Sequence, residues 1–236
     1  MSKGRRHVTV LTWNIHGCVG RDGAFDPKRI LGLLREAQPD LVALQEIDAR
    51  TPLAAGLDPF VYFAEGLGWI SASVKTLETP HGHYGHMLLS RWPMDGVLDA
   101  DLSMPGREPR KAIVATVRSP WSTIFIIAVH LGLNRRERRF QIARLKGQID
   151  ARAQKPMVVV GDFNEIRRRG AAERTFCPPL QPTDALPTYP SRCPVLPLDR
   201  IWHNEPLRLV SMRTLKEGGV MSDHLPLIVD LSLTEA

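Results

Sequence analysis

Apolar runs that end in a carboxylate, an amide or an imidazole limit what this chain can become more than any other feature. VVVGDFNE at 158–165 is the clearest case: three valines read as a strand buried on both faces, and Gly161, Asp162, Phe163 and Asn164 follow at once. The ending recurs. VTVLTW at 8–13 runs into Asn14, LVAL at 41–44 into Gln45 and Glu46, and TIFIIAV at 123–129 into His130. LDRIWHN at 198–204 and PLIVDL at 226–231 read as two further strands, with Asp199 and the pair Asp223, His224 beside their ends. MLLS at 87–90 and AIVATV at 112–117 complete the set.

Helical periodicity fills the gaps. Asp26 is placed to cap a helix, Pro27 suits its first turn, and Ile30, Leu33, Leu34 and Ala37 recur at helical spacing before Pro39 stops it. With the flanking strands this makes a strand, helix, strand succession, the pattern of an α/β layer. Asn134 and Glu137 predict a capping pair opening a helix through Ile142, Leu145 and Ile149, whose other face carries Arg135, Arg136, Arg138, Arg139 and Arg144. Seven prolines between Cys177 and Pro197 exclude a regular element and predict an extended loop, a kind of segment often functional. No repeat or composition break divides the chain, so one domain over residues 1–236 is expected.

Partners follow from charge. Thirty-one Lys and Arg against 25 Asp and Glu leave +6, a balance compatible with nucleic acid or an anionic membrane surface. No obligate protein partner is indicated. Cys18, Cys177 and Cys193 are odd in number and show no C-x-x-C spacing, which suits a reducing compartment. The apolar stretch within MSKGRRHVTVLTWN is too short for a secretory signal, so a cytoplasmic protein is expected.

If the strands share a sheet system, their polar ends meet on one rim. Crowded carboxylates repel one another, and a divalent cation resolves the conflict. Asn14 and Glu46 offer oxygen ligands to a hard cation such as Mg²⁺, with Asp223 as a further ligand. Asp162 and Asn164 are two apart, so in extended chain both point to one side while Phe163 turns into packing. One can hold a nucleophilic water and the other a phosphate oxygen. Asp199 is the candidate to orient His224 and raise its pKa.

In this order the motifs resemble the endonuclease/exonuclease/phosphatase superfamily of deoxyribonuclease I: WNIHG (13–17), LQEID (44–48), LLSRWP (88–93), VHLGL (129–133), GDFNE (161–165), LDRI (198–201) and SDHLPL (222–227). The resemblance covers nearly the whole chain. It implies an α/β fold of four layers, two mixed β-sheets packed face to face with helices outside, and a Mg²⁺- or Mn²⁺-dependent phosphoesterase. By position it implies metal-site roles for Asn14 and Glu46, with Asp223 close to the metal, and a water-activating and phosphate-orienting pair in Asp162 and Asn164. It further implies phosphate binding by His130 and an acid–histidine dyad of Asp199 and His224. Where family members commonly carry Gly-Asn, this chain has Gly85 and His86, which makes His86 a candidate phosphate contact beside Tyr84.

The expected reaction is hydrolysis of a small-molecule or phospholipid-headgroup phosphodiester by direct in-line attack of water. A DNA or RNA endo- or exonuclease is the alternative, and a non-catalytic binding protein on the same fold is the third reading. Arg110, entering a strand near the site, is a candidate phosphate clamp. The arginine runs at 135–139 and 167–169 read mostly as solvated surface, and His130 also reads as a core histidine. His16, His81, His83 and His203 carry no functional signal, and Glu78 is a candidate partner to orient His130.

Overall fold

The structure, a computed structural model, describes residues 6–167 and 169–234; Arg168 of the second arginine run and the first residues of the basic N-terminal stretch fall outside that range. Its elements are β1 (His7–Asn14), α1 (Pro27–Ala37), β2 (Leu41–Asp48), α2 (Pro59–Leu67), β3 (Ile70–Thr79), β4 (Gly82–Ser90), β5 (Met94–Asp101), β6 (Lys111–Arg118) and β7 (Thr123–His130). Then come α3 (Arg135–Asp150), β8 (Met157–Asp162), α4 (Ala171–Phe176), β9 (Gln181–Pro182), β10 (Asp199–His203), β11 (Leu207–Thr214) and β12 (Leu227–Leu233).

These strands form two six-stranded mixed sheets, ordered β11-β12-β1-β2-β4-β3 and β5-β6-β7-β8-β10-β9. Each has one parallel pair near its centre, β1 with β2 and β7 with β8. Parallel neighbours need a crossover, and α1 and α3 supply it. The helix ends obey the sequence: Asp26 accepts from the Arg29 amide, and Asn134 from that of Arg136. Glu137 departs from the capping reading, because it is buried and accepts from Gln141 Nε2.

Strand alternation sorts the side chains into layers. Val8 and Val10 of β1, Leu41 and Ala43 of β2, and Leu88 of β4 face Ile126 and Ala128 of β7, Val158 and Val160 of β8, and Ile201 of β10 in one core between the sheets. The opposite faces bury Leu11, Trp13, Val42 and Leu44 against α1 and α2, and Ile127, Val159 and Phe163 against α3 and α4. Four layers result, helix, sheet, sheet, helix, as expected.

Four strands carry no clear sequence signal: β3, β5, β9 and β11. All lie at sheet edges, where one flank meets water and polar residues dilute the apolar signal. The helix α2 is an addition to the sequence expectation, capped by Asp58 and opened by Pro59.

Candidate active site

Counting by twos from the inter-sheet core leads straight to the polar cluster. Val158 and Val160 point between the sheets, so Asp162 does too; Ala128 places His130 there, Ile201 places Asp199, and Val10 with Thr12 places Asn14. Register then aligns three of them. His130 is the ladder partner of Asp162, and Asp162 of Asp199, so three adjacent strands present one polar row. All three residues are buried.

Glu46 needs a device. In unbroken β2 it would follow Val42 and Leu44 to the helix side, but the β2–β4 register shifts between Leu44 and Ile47 and Glu46 adopts φ 56°. The bulge turns its carboxylate inward. Asn14 Nδ2 donates to Glu46 Oε1 at 2.8 Å and to Asp162 Oδ2 at 3.0 Å, so one amide joins the two sheets.

Gly161 permits the approach of β8 to β7. Its φ is +145°, and a Cβ there would lie 2.0 Å from the Val129 carbonyl oxygen. Beyond Asp162 the chain is not extended, contrary to the sequence expectation. Asn164 has φ 50°, its amide donates to Asp162 Oδ1 at 2.8 Å, and its Nδ2 donates to the Leu131 carbonyl at 2.8 Å. Asx-turn hydrogen bonding outcompetes strand continuation here. Phe163 does turn into packing, against Phe176 and Trp202.

The dyad forms across sequence. His224 Nδ1 lies 2.8 Å from Asp199 Oδ2, and Nε2 lies 4.0 Å from Asp162 Oδ2. Burial alone would lower the imidazole pKa, but the charge and hydrogen bond of Asp199, with Asp162 and Asp223 nearby, raise it to about 10. Asp162 is pushed up to about 7, first by burial and then by the Asp199 charge, against the opposing His224 charge and the Asn14 hydrogen bond.

His130 is set differently. Arg110 Nη1 approaches its Nδ1 at 3.2 Å, and a guanidinium can only donate, so Nδ1 accepts and Nε2 carries the proton. Burial, then Arg110, hold its pKa well below the usual value. His130 is thus a neutral donor, its Nε2 lying 3.7 Å from Asp162 Oδ2 and 3.8 Å from Glu46 Oε1. Arg110 is 6% exposed and also pairs with Glu108 at 3.2 Å; it reaches the site through His130. Glu78 is exposed on β3 opposite His83, so it does not orient His130.

His86, a candidate phosphate contact by its place in the motif, lies deep between the sheets near His130. It shares the inter-sheet face with Leu88, is 2% exposed, and is pushed down to about 4 by burial and by Arg110. Tyr84, two residues earlier, is half-buried and lines a cleft of about 270 Å³ with His16, Glu46, Asp48 and Thr51.

His16 is the residue sequence reasoning missed. Its Nδ1 stands 3.5 Å from Asp223 Oδ1 and 3.9 Å from Glu46 Oε2. A left-handed backbone at φ 47° turns it there, and only its place two residues after Asn14 hinted at this. The proline-rich loop is a buttress: Ser191 Oγ donates to the Ser222 carbonyl at 2.7 Å, and Tyr189 packs on the His224 ring. Ser222 Oγ donates to the Asn14 carbonyl at 2.7 Å, and Trp13 Nε1 to the His224 carbonyl at 2.9 Å.

Two groupings could hold a cation. Asp162, Asp199 and His224 bring ligand atoms within 4.8 Å of one another, but a cation there would have to displace the dyad hydrogen bond. Glu46 and Asp223 suit a hard cation better, because both carboxylates are partly exposed and leave room for retained waters, while Asn14 orients Glu46 through Nδ2 and its Oδ1 accepts from the His16 amide.

Residues 11–224 match the endonuclease/exonuclease/phosphatase family. The chain belongs to that family. A curated relative is the uncharacterized protein YbhP of Escherichia coli strain K12, 29% identical over 251 residues that cover 95% of this chain and 96% of that protein. Among solved structures the chain is similar to an endonuclease/exonuclease/phosphatase from Beutenbergia cavernae, with TM-score 0.83 and 24% identity over 98% of this chain and 73% of that one. It is also similar to the human Nocturnin catalytic domain with bound sulfate anion, with TM-score 0.77 and 22% identity over 97% and 94%. The structural likenesses establish the family fold.

Proposed function

We propose that this family member is a divalent-metal-dependent phosphodiesterase acting by direct in-line attack of water on a small-molecule or phospholipid-headgroup diester. The observation that carries this reading is the position of Asp162. It is a buried carboxyl with pKa about 7, in contact with the Asn14 amide and flanked by His130 and a cationic His224. A base titrating near neutrality suits proton transfer at working pH.

Mg²⁺ or Mn²⁺ held by Glu46, with Asn14 and Asp223 beside it, would polarise a phosphoryl oxygen and steady the leaving oxygen. The chain's own groups do the rest. Asp162 orients the water and takes its proton, and Asn164 holds a phosphate oxygen. His224 brings positive charge to the oxygens as negative charge grows, with Asp199 fixing its tautomer. His130 donates one hydrogen bond from Nε2, kept in that tautomer by Arg110. The cleft walled by Tyr84 and Thr51 receives the alcohol portion of the ester. Exposed arginines beside the site also support a nuclease reading.

The test is Asp162→Asn assayed on bis(p-nitrophenyl) phosphate with Mg²⁺ and with a chelator. Turnover should need the metal and fall on the order of 10²–10⁴-fold in the variant, with circular dichroism unchanged. Undiminished turnover in the folded variant overturns the assignment.

A further inference from the structure

One side of the reaction centre is bordered by two segments, 131–139 leading from β7 into α3 and 164–167 leaving β8. The Asn164 to Leu131 hydrogen bond ties them together, and Arg135, Arg138, Glu165, Ile166 and Arg167 flank a cleft of about 150 Å³ between them. Arg138 is committed to structure, because its guanidinium donates to the Gly132 and Leu133 carbonyls. Arg135, Arg136, Arg139 and Arg167 are different. All are exposed, and none makes a side-chain hydrogen bond or ion pair with a described residue.

The acids of the same segments are both engaged by hydrogen bonds, Glu137 in the interior and Glu165 at the border of the cleft. Glu137 is 5% exposed against Gln141, and Glu165 accepts from the Ala171 and Ala172 amides. Each segment also holds an aliphatic side chain out to water, Leu133 at 77% exposure and Ile166 at 57%. Unpaired arginines on the same two segments as protruding aliphatics, with Arg135 and Arg167 bordering one cleft with Ile166, match the chemistry of a bilayer interface, where apolar groups enter the acyl boundary and cations pair with anionic headgroups. A nucleic acid would satisfy the arginines and leave Leu133 and Ile166 in water.

We infer that this face docks on an anionic lipid bilayer and sets the neighbouring site at headgroup level. The substrate side of the inference rests on the proposed phosphodiesterase reading, while the docking itself is testable without turnover. The experiment is cosedimentation of the full chain with phosphatidylcholine vesicles, with and without phosphatidylglycerol. The unaltered protein should sediment only with anionic vesicles and be released by salt. R136E/R139E should weaken binding on the order of tenfold or more. Leu133→Asp should also weaken it, and Asp162→Asn should bind as the unaltered protein does. All four proteins should keep native circular dichroism, and the two surface variants should keep hydrolysis of soluble bis(p-nitrophenyl) phosphate. Failure of the unaltered protein to sediment, or sedimentation of the Leu133→Asp protein at full strength, overturns the inference. So does retention of duplex DNA that falls in R136E/R139E while vesicle binding is unmoved.

Discussion

The Asp199 to His224 contact concentrates the electrostatics of the site in one hydrogen bond of 2.8 Å. Burial works against the imidazolium, and the Asp199 carboxylate does more than any other group to favour it. Under the proposed function, Asp199→Asn should therefore move the alkaline limb of the kcat/KM profile from about pH 10 down toward the ordinary imidazole value of about 6.5 or below, and cost on the order of 10²-fold in rate. An unmoved limb would show that another group sets it. At this scale much was legible. Alternation alone carries Val158 and Val160 to Asp162, and motif order brought Asp199 to His224. His16 and the turn at Asn164 were hidden, because left-handed backbone reverses the direction that alternation predicts.

Elements were legible in proportion to their burial. Central strands such as β7 and β8 are apolar up to their polar ends and announce themselves, whereas β3, β5 and β11 face water along one flank. The bulge at Glu46 could not be read, since nothing in LQEID marks a register shift. Gly161 shows how tightly one element constrains another. A methyl group there would need to occupy the space of the Val129 carbonyl, within the parallel pair that carries His130 and Asp162. Gly161→Ala should lower stability by about 3 kcal/mol, read from the urea midpoint, and reduce activity with it.

Across the whole molecule, folding brings mutually repelling acids together between two sheets, and the cost has a pH signature. The folded-state pKa of Asp162, about 7, lies above its ordinary value, so its contribution to stability is full below about pH 4 and is lost as pH rises through 7. His224 acts with the same sign: its contribution is full below about pH 6.5 and is lost as pH rises through about 10. Chelator-treated protein should thus denature more readily at pH 8 than at pH 5, and Asp162→Asn should flatten the acidic half of that slope. Under the proposed function, Mg²⁺ at about 100 times its Kd should restore about 2.7 kcal/mol, seen as a raised Tm, and Glu46→Gln should abolish the gain. The same architecture imposes an order in time. β12 fills the place between β11 and β1, and Ser222 and His224 close onto Asn14 and Trp13 at the end of β1. During translation the first strand must therefore wait, with one edge unpaired, until the last described strand has left the ribosome. A chain interrupted before His224 lacks the imidazole that pairs with Asp199, so under the proposed function partial synthesis yields no active fragment.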